Sequence, residues 1–287
     1  MKVLVTGVKG QLGFDVVNEL EKRGHTAIGV DVDTMDITNS EQVENVIKAN
    51  MPEAVIHCAA YTAVDLAEDN KELCDKINGE GTENIAKVCK EINAKLMYIS
   101  TDYVFNGEGE RPWQPDDTVT IPLNEYGYSK YLGEQAVQKY VKDFYIVRIA
   151  WVFGINGKNF VKTMVNLAKT HDTLNVVNDQ LGNPTNAVDL AYHILKLAVS
   201  HDYGIYHCTG SGICSWYDFA SEIIRLSGLP CTVKPVTSAQ YKEMNPKSAD
   251  RPAWSALENR ALRCSVGDDM RDWKDAIQDF FNNWDGK

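Results

Sequence analysis

The sequence predicts an α/β protein: a doubly wound parallel sheet joined to a smaller C-terminal α/β substrate domain. Three observations predict it. Short apolar runs rich in Val and Ile alternate with helix-length amphipathic stretches through the first 150 residues, and such alternation specifies parallel strands with helices on both faces. The first run ends in a glycine-rich turn that opens a helix, and the second ends on an aspartate. The expected division is a first unit over 1–150 and a second over 151–287, with the helix over 187–200 a candidate for packing back on the first.

Lys2 to Thr6, with Val3, Leu4 and Val5 consecutive, reads as a strand buried on both faces. Gly7-Val8-Lys9-Gly10-Gln11-Leu12-Gly13 follows. Its glycines, Gly7, Gly10 and Gly13, permit a tight turn and bring backbone N–H groups to a pyrophosphate at a helix N-terminus. The spacing is Gly-x-x-Gly-x-x-Gly, and an ordinary strand–helix turn is the bland alternative. The strand–turn–helix context outweighs it and points to a dinucleotide-binding (Rossmann) unit. The helix carries Leu12, Val16, Val17 and Leu20 on one side and stops at Gly24. Thr26 to Val30 is the second strand, and Asp31 follows it near the spacing of about 20 residues at which a carboxylate meets the adenosine ribose. A carboxylate there repels a 2′-phosphate, so NADH is the expected cofactor and NADPH the weaker alternative, with Asp33 reinforcing the preference.

Asn39 and Ser40 are N-cap candidates for a helix that runs to Asn50. Ala54 to His57 is the third strand. Cys58-Ala59-Ala60-Tyr61-Thr62 continues it, small enough at Ala59 and Ala60 for a flat cofactor to lie against the backbone. His57 reads as a buried, hydrogen-bonded core histidine. A helix over 71–93 leads to the fourth strand, Lys95 to Ile99, which opens into Ser100-Thr101-Asp102-Tyr103-Val104-Phe105. The segment 106–123, rich in Gly, Pro and Asp, is expected to border the active site. Phe144 to Ile149 is the fifth strand. Ligands of such sheets bind beyond the carboxyl ends of the strands, so Gly7 to Gly13, Asp31, Ala60 and Thr101 should share one crevice.

Glu125 to Glu134 places Tyr126 and Lys130 on one face of a helix. A phenol ordinarily loses its proton near pH 10. An adjacent ammonium is expected to lower that value and to fit Tyr126 for proton transfer to or from a carbonyl oxygen. A surface helix bearing a tyrosine and a lysine would look the same in isolation.

In the second half, helices are predicted over 158–171 and 187–200 and strands over 174–177 and 204–208. Ser215 caps a helix that reaches Leu226 and stops at Gly228. A last helix over 268–283 has Trp273, Ile277, Phe280 and Phe281 on its apolar side. The substrate is expected in the cleft between the two units.

A net charge of −11 without a basic block excludes a nucleic-acid partner as an expectation. Seven cysteines, with no Cys-x-x-Cys pair, suggest free thiols in a reducing cytoplasm rather than a disulfide framework or a zinc site. No metal is expected. Met1 runs almost directly into a strand, leaving no room for a secretion signal, and no apolar run approaches the roughly 20 residues of a membrane helix.

Together the glycine turn, the Ser-Thr-Asp-Tyr-Val-Phe strand end and the Tyr-x-x-x-Lys helix resemble the extended short-chain dehydrogenase/reductase superfamily. Within it the chain is most similar to the dTDP-4-dehydrorhamnose reductases. Thr62-Ala63-Val64-Asp65-x-x-Glu68, Ile149-Ala150-Trp151-Val152-Phe153, Asn159-Phe160-Val161-Lys162-Thr163-Met164, Asn178-Asp179-Gln180-x-Gly182-x-Pro184-Thr185 and Arg251-Pro252-x-x-Ser255 carry the likeness through nearly the whole chain. The resemblance implies a triad of Thr101, Tyr126 and Lys130, and NAD(P)H-dependent reduction of the C4 ketone of dTDP-4-dehydro-L-rhamnose to dTDP-L-rhamnose. Tyr126 would protonate the alkoxide, Thr101 would hydrogen-bond the same oxygen, and Lys130 would lower the Tyr126 pKa and hold the nicotinamide ribose. The implied cofactor set is Gly10, Gln11, Leu12, Asp31, Asp36, Ile37, Ala60, Tyr61, Thr62, Tyr126 and Lys130. Implied substrate contacts are Thr101, Asp102, Tyr126 and Trp151, with Arg251 a candidate clamp for the diphosphate through its planar fork.

Some members of the family bridge a homodimer through a magnesium ion held by glutamates. Asp15 stands at the early position here and the tail stops soon after Trp284, so no magnesium is expected and the dimer mode stays open. Two rival readings share the scaffold: another sugar-nucleotide oxidoreductase or epimerase, and a non-catalytic module resembling the regulatory subunit of methionine adenosyltransferase. Intact Thr101, Tyr126 and Lys130 weigh against the second.

Overall fold

The structure, a computed structural model, describes residues 1–286. In chain order the elements are β1 (Lys2–Thr6), α1 (Gln11–Lys22), β2 (Thr26–Val30), α2 (Ser40–Asn50), β3 (Ala54–His57), α3 (Val64–Ala67), α4 (Lys71–Asp75), α5 (Gly81–Ile92), β4 (Lys95–Thr101), α6 (Glu125–Tyr140) and β5 (Phe144–Ile149). They continue with β6 (Val152–Phe153), α7 (Phe160–Ala168), β7 (Thr173–Val177), β8 (Leu181–Gly182), β9 (Thr185–Asn186), α8 (Ala187–Val199), β10 (Gly204–His207), β11 (Cys214–Ser215), α9 (Trp216–Ser227), β12 (Thr232–Val236), α10 (Ser238–Met244), α11 (Arg260–Ser265) and α12 (Trp273–Asn283).

Six parallel strands form the main sheet in the order β10-β5-β4-β3-β1-β2. The side-chain period of two divides each strand between two cores. Val3, Val5, Ile56, Met97 and Val147 face α1 and α8, whereas Leu4, Val55, Leu96 and Ile146 face α2, α5 and α6. Complete burial of such a side chain is worth roughly 1.5–3 kcal/mol, which is why these strands are apolar on both faces. The second half adds a separate core in which Phe153, Phe219, Trp273 and Phe280 join α7, α9 and α12.

β10 lies parallel to β5 with Gly204 opposite Tyr145, and α8 packs its Leu190, Ile194 and Leu197 into the core of the first sheet. The chain thus returns to the first unit over both α8 and β10. β4 continues two residues past its predicted end, to Thr101, because Ser100 and Thr101 pair with Arg148 and Ile149 of β5. The predicted helix over 71–93 contains a π-helical turn at Lys76–Glu80. That turn aims Asn78 at Tyr61: Asn78 Oδ1 accepts from the Tyr61 amide at 2.8 Å, and Nδ2 donates to the Tyr61 carbonyl at 3.0 Å. His57 is buried between Thr6 and Thr82, with Nδ1 2.7 Å from the Thr6 hydroxyl. Helix ends obey their sequence signals. Asn39 caps α2 through the Gln42 amide, Ser215 forms a capping box with Asp218, and Gly228 takes the left-handed conformation after α9.

Candidate active site

The carboxyl ends of β1, β2, β3, β4 and β5 open into one cleft of about 980 Å³. Gly7, Gly10, Gln11, Leu12, Asp31, Asp36, Ile37, Ala59, Ala60, Thr62, Thr101, Asp102, Tyr126, Lys130 and Trp151 all line it. Most residues expected from the sequence are therefore brought together.

The glycine turn is shaped by close approach. Gly7 sits at φ +69°, and a Cβ there would meet the Ala59 backbone at 2.8 Å. Gly10 is the N-cap of α1 and offers no side-chain cap, so the first-turn amides are left for an anion. Gly13, expected as a cofactor contact, is outside the cleft lining. A Cβ there would stand 2.3 Å from the Gly7 carbonyl oxygen, so glycine is required for helix-to-turn packing. The Gln11 side chain is also committed elsewhere: Nε2 donates to the Val152 carbonyl at 3.0 Å and Oε1 accepts from Asn159 at 2.8 Å. Its backbone is the part that faces the turn.

Asp31 accepts from the Lys9 and Val32 amides, each at 2.9 Å. Asp33 does not add an unopposed charge beside it, as the sequence reading expected, because the Lys9 ammonium pairs with Asp33 at 2.8 Å. Asp36 accepts from the amide and hydroxyl of Thr38. Tyr61 is not in the lining, and Asn78 holds its backbone by two hydrogen bonds. None of residues 106–123 lines the cleft either. Trp113 instead stacks on Phe105 at 4.4 Å and holds that segment to the side.

The N-cap of α6, Asn124, accepts from the Gly127 amide at 2.8 Å and sets Tyr126 in the first turn. Tyr126 is not acidified as its spacing from Lys130 predicts. The phenol pKa is pushed well above its ordinary value by withdrawal from water, a rise that the neighbouring Thr101 hydroxyl opposes only in part. Lys130, one turn along the helix, is engaged elsewhere. Its Nζ donates to the Ile99 carbonyl at 2.6 Å and stands 4.1 Å over the Tyr98 ring. Burial lowers the Lys130 pKa to about 7, against an opposing pull from Glu134.

Ser100 donates to Glu134 at 2.5 Å, while Thr101 donates to Asp102 Oδ1 at 3.0 Å. Glu134 is gripped by Arg148 through Nε at 2.9 Å and Nη2 at 2.8 Å, and both side chains are essentially inaccessible. Trp151 carries φ +49° and stacks on Trp216 at 3.6 Å, so it is at once a wall of the cleft and an anchor of the second core. Arg251, expected on the substrate diphosphate, lies outside the lining. Asp65 holds it at 2.8 Å, and the carboxylate supplies the partner the fork would otherwise seek in a ligand. Lys76, Gly157 and Lys158 line the cleft without a prior sequence signal, since the π turn and the loop after β6 deliver them.

Asp102 is 3 % exposed, and among the described residues its Oδ2 has no hydrogen-bond partner. Burial raises its pKa from 3.8 to about 7, although the nearby Ser255 hydroxyl favours its ionised form. The folded state therefore favours the neutral acid. Its contribution to stability declines as pH rises from the unfolded value near 4 through about 7, and is constant above. Asp102→Asn, which cannot ionise, is expected to raise the thermal midpoint relative to the parent at pH 8 but not at pH 4. Melting curves at the two pH values check this, and a difference that does not widen toward pH 8 would remove the buried-acid account.

The profile described as RmlD substrate binding domain matches residues 1–285. The spore coat polysaccharide biosynthesis protein SpsK of Bacillus subtilis (strain 168) is 41% identical over 279 residues, spanning 97% of this chain and 96% of the relative. Among solved structures, a dTDP-4-dehydrorhamnose reductase from Clostridium acetobutylicum superposes with a TM-score of 0.94 at 45% identity, covering 98% of this chain and 99% of its own. A dTDP-4-dehydrorhamnose reductase from Bacillus anthracis in complex with NADP gives 0.93 at 38% identity, with the same coverage.

Proposed function

Because the chain belongs to the family of the RmlD substrate binding domain, we propose that it reduces the C4 ketone of dTDP-4-dehydro-L-rhamnose to dTDP-L-rhamnose with a nicotinamide cofactor. The observation that carries the reading is one cleft that joins an uncapped, glycine-lined helix N-terminus to Thr101, Tyr126 and Lys130. Gly7, which lets the turn close against the Ala59 backbone, and the first-turn amides of α1 fit a pyrophosphate. Asp31 and Asp36 fit the adenosine end.

When bound, the cofactor supplies hydride to the ketone carbon. The chain supplies the proton and the alignment. A phenol with a raised pKa is fully protonated at neutral pH, and an alkoxide is a far stronger base, so transfer from Tyr126 to the developing oxygen is downhill. With both ligands bound, Thr101 would hydrogen-bond the same oxygen, Lys130 would hold the ribose hydroxyls, and Asp102 Oδ2, without a hydrogen-bond partner among the described residues, would take a sugar hydroxyl. Trp151 gives the sugar a flat wall. The unpaired cysteines support placing the reaction in a reducing cytoplasm.

The decisive experiment is NADH oxidation with the freshly prepared dTDP-4-keto sugar, run beside UDP- and GDP-linked ketosugars. Stoichiometric oxidation with the dTDP compound is expected. Sugar conversion without net oxidation would favour an epimerase, and no oxidation with any of the three would overturn the reading.

NADH is the preferred cofactor in this proposal, because a carboxylate at Asp31, which lines the cleft beyond β2, would repel a 2′-phosphate. The Lys9 ammonium stands nearby, so the preference is one of degree. Asp31→Ala is expected to shift the NADPH-to-NADH ratio of kcat/KM toward NADPH by about tenfold, equivalent to about 1.4 kcal/mol. An unchanged ratio would discard the ribose role.

A further inference from the structure

A cofactor diphosphate is dianionic, and this chain is strongly acidic overall, so local cations must offset an unfavourable long-range field. Four lysines line the cleft: Lys9, Lys76, Lys130 and Lys158. Lys9 is engaged by Asp33 at 2.8 Å. Lys130 is buried and donates to the Ile99 carbonyl. Lys76 is likewise exposed and unpaired among the described residues, but it belongs to the π turn, beside Leu73 and Ile77 of the cleft wall, and no hydrogen bond among the described residues fastens that turn to the glycine turn. Lys158 is exposed and makes no ion pair or hydrogen bond among the described residues.

The loop that carries Lys158 is fastened to the glycine turn. Asn156 Nδ2 donates to the Gly10 carbonyl at 3.0 Å, and Asn159 Nδ2 donates to Gln11 Oε1 at 2.8 Å. Between them Gly157 adopts φ +73° and lies so close to the start of α1 that a Cβ would stand 3.3 Å from the Gln11 amide nitrogen. Lys158 is therefore the residue next to the one that touches the first amide of the helix. Its four-carbon stem ends in an ammonium with three donors.

We infer that Lys158 supplies the side-chain positive charge for the cofactor diphosphate, closing over it from the second half of the chain opposite the amides of Gln11 and Leu12. The inference rests on the cofactor reading above and adds to it a residue that no glycine motif contains. The loop thereby couples cofactor binding to the wall formed by Trp151 and Val152, because Gln11 is tied to the Val152 carbonyl.

The test compares the full-length protein with Lys158→Met and Lys158→Arg. Dissociation constants for NADH, ADP-ribose, adenosine and TDP are measured by calorimetry at two salt concentrations, and thermal midpoints confirm folding. Lys158→Met is expected to weaken NADH and ADP-ribose by about tenfold, the scale of one charge-assisted contact, and to flatten their salt dependence. Adenosine, which lacks the diphosphate, should bind as before, and Lys158→Arg should stay within about twofold of the parent for ADP-ribose. Parental ADP-ribose affinity in Lys158→Met would overturn the inference. So would an equal loss on adenosine, or a loss confined to TDP, which would move Lys158 to the substrate. A parent protein that binds neither NADH nor ADP-ribose would instead refute the cofactor reading itself.

Discussion

Tyr126→Phe is expected to bind NADH as the parent does and to lose turnover by about 10²-fold or more, the usual scale for a removed general acid. The ring stays packed against Tyr103, whose centroid lies 5.8 Å away, so the variant keeps the wall and loses only the proton. Steady-state NADH oxidation and a fluorescence titration of NADH separate the two effects. Parental kcat would take Tyr126 out of the mechanism. Because burial holds the phenol protonated, Tyr126 should leave no inflection near neutral pH. An inflection near 7 belongs to Lys130, which loses charge as pH rises, or to Asp102, which gains it.

Glu134→Ala is expected to cost about 3–5 kcal/mol of folding stability, because it leaves the Arg148 guanidinium buried without its partner. The remaining neighbours of Arg148 cannot replace a carboxylate. It stands 5.0 Å over the Phe105 ring, and its other contacts are the Pro115 carbonyl and His207. His207 is itself held well below its ordinary pKa by burial and by Arg148, so it stays neutral and cannot balance the guanidinium. Ser100 loses its acceptor in the same variant. Denaturant unfolding measures the cost, and a loss under about 1 kcal/mol would show that water or a rearranged side chain replaces Glu134. The double variant Glu134→Leu/Arg148→Met is expected to recover much of the loss, since removing both charges removes the desolvation problem.

Strand positions through Ile149 were legible in the sequence because each apolar run is short, β-branched and bounded by turn residues. The cleft followed from the same pattern, since parallel strands present their carboxyl ends on one edge. What could not be read was side-chain aim. A four-residue spacing places Tyr126 and Lys130 on one face, yet the ammonium turns to the Ile99 carbonyl. Gly13 was legible as an obligatory glycine, but its reason, a 2.3 Å clash with Gly7, is tertiary. Arg251 and Asp65 are far apart in the chain, so their pairing carried no local trace. Residues 204–208 read as a strand, but nothing in so short a run names the neighbour it will choose. Over 229–267 the short β12, α10 and α11 were missed, because elements of five to seven residues give too little periodicity.

The seating of β10 beside β5 has a consequence for biosynthesis. A ribosome that has released only the first 150 residues presents a nearly complete sheet whose last strand, Phe144–Ile149, still has a bare flank. Naked apolar flanks of this kind template pairing with other chains, and N-terminal portions begin to fold during synthesis. That flank stays uncovered until His207 has left the exit tunnel, and a chain truncated before that point is expected to be less soluble than the full-length protein.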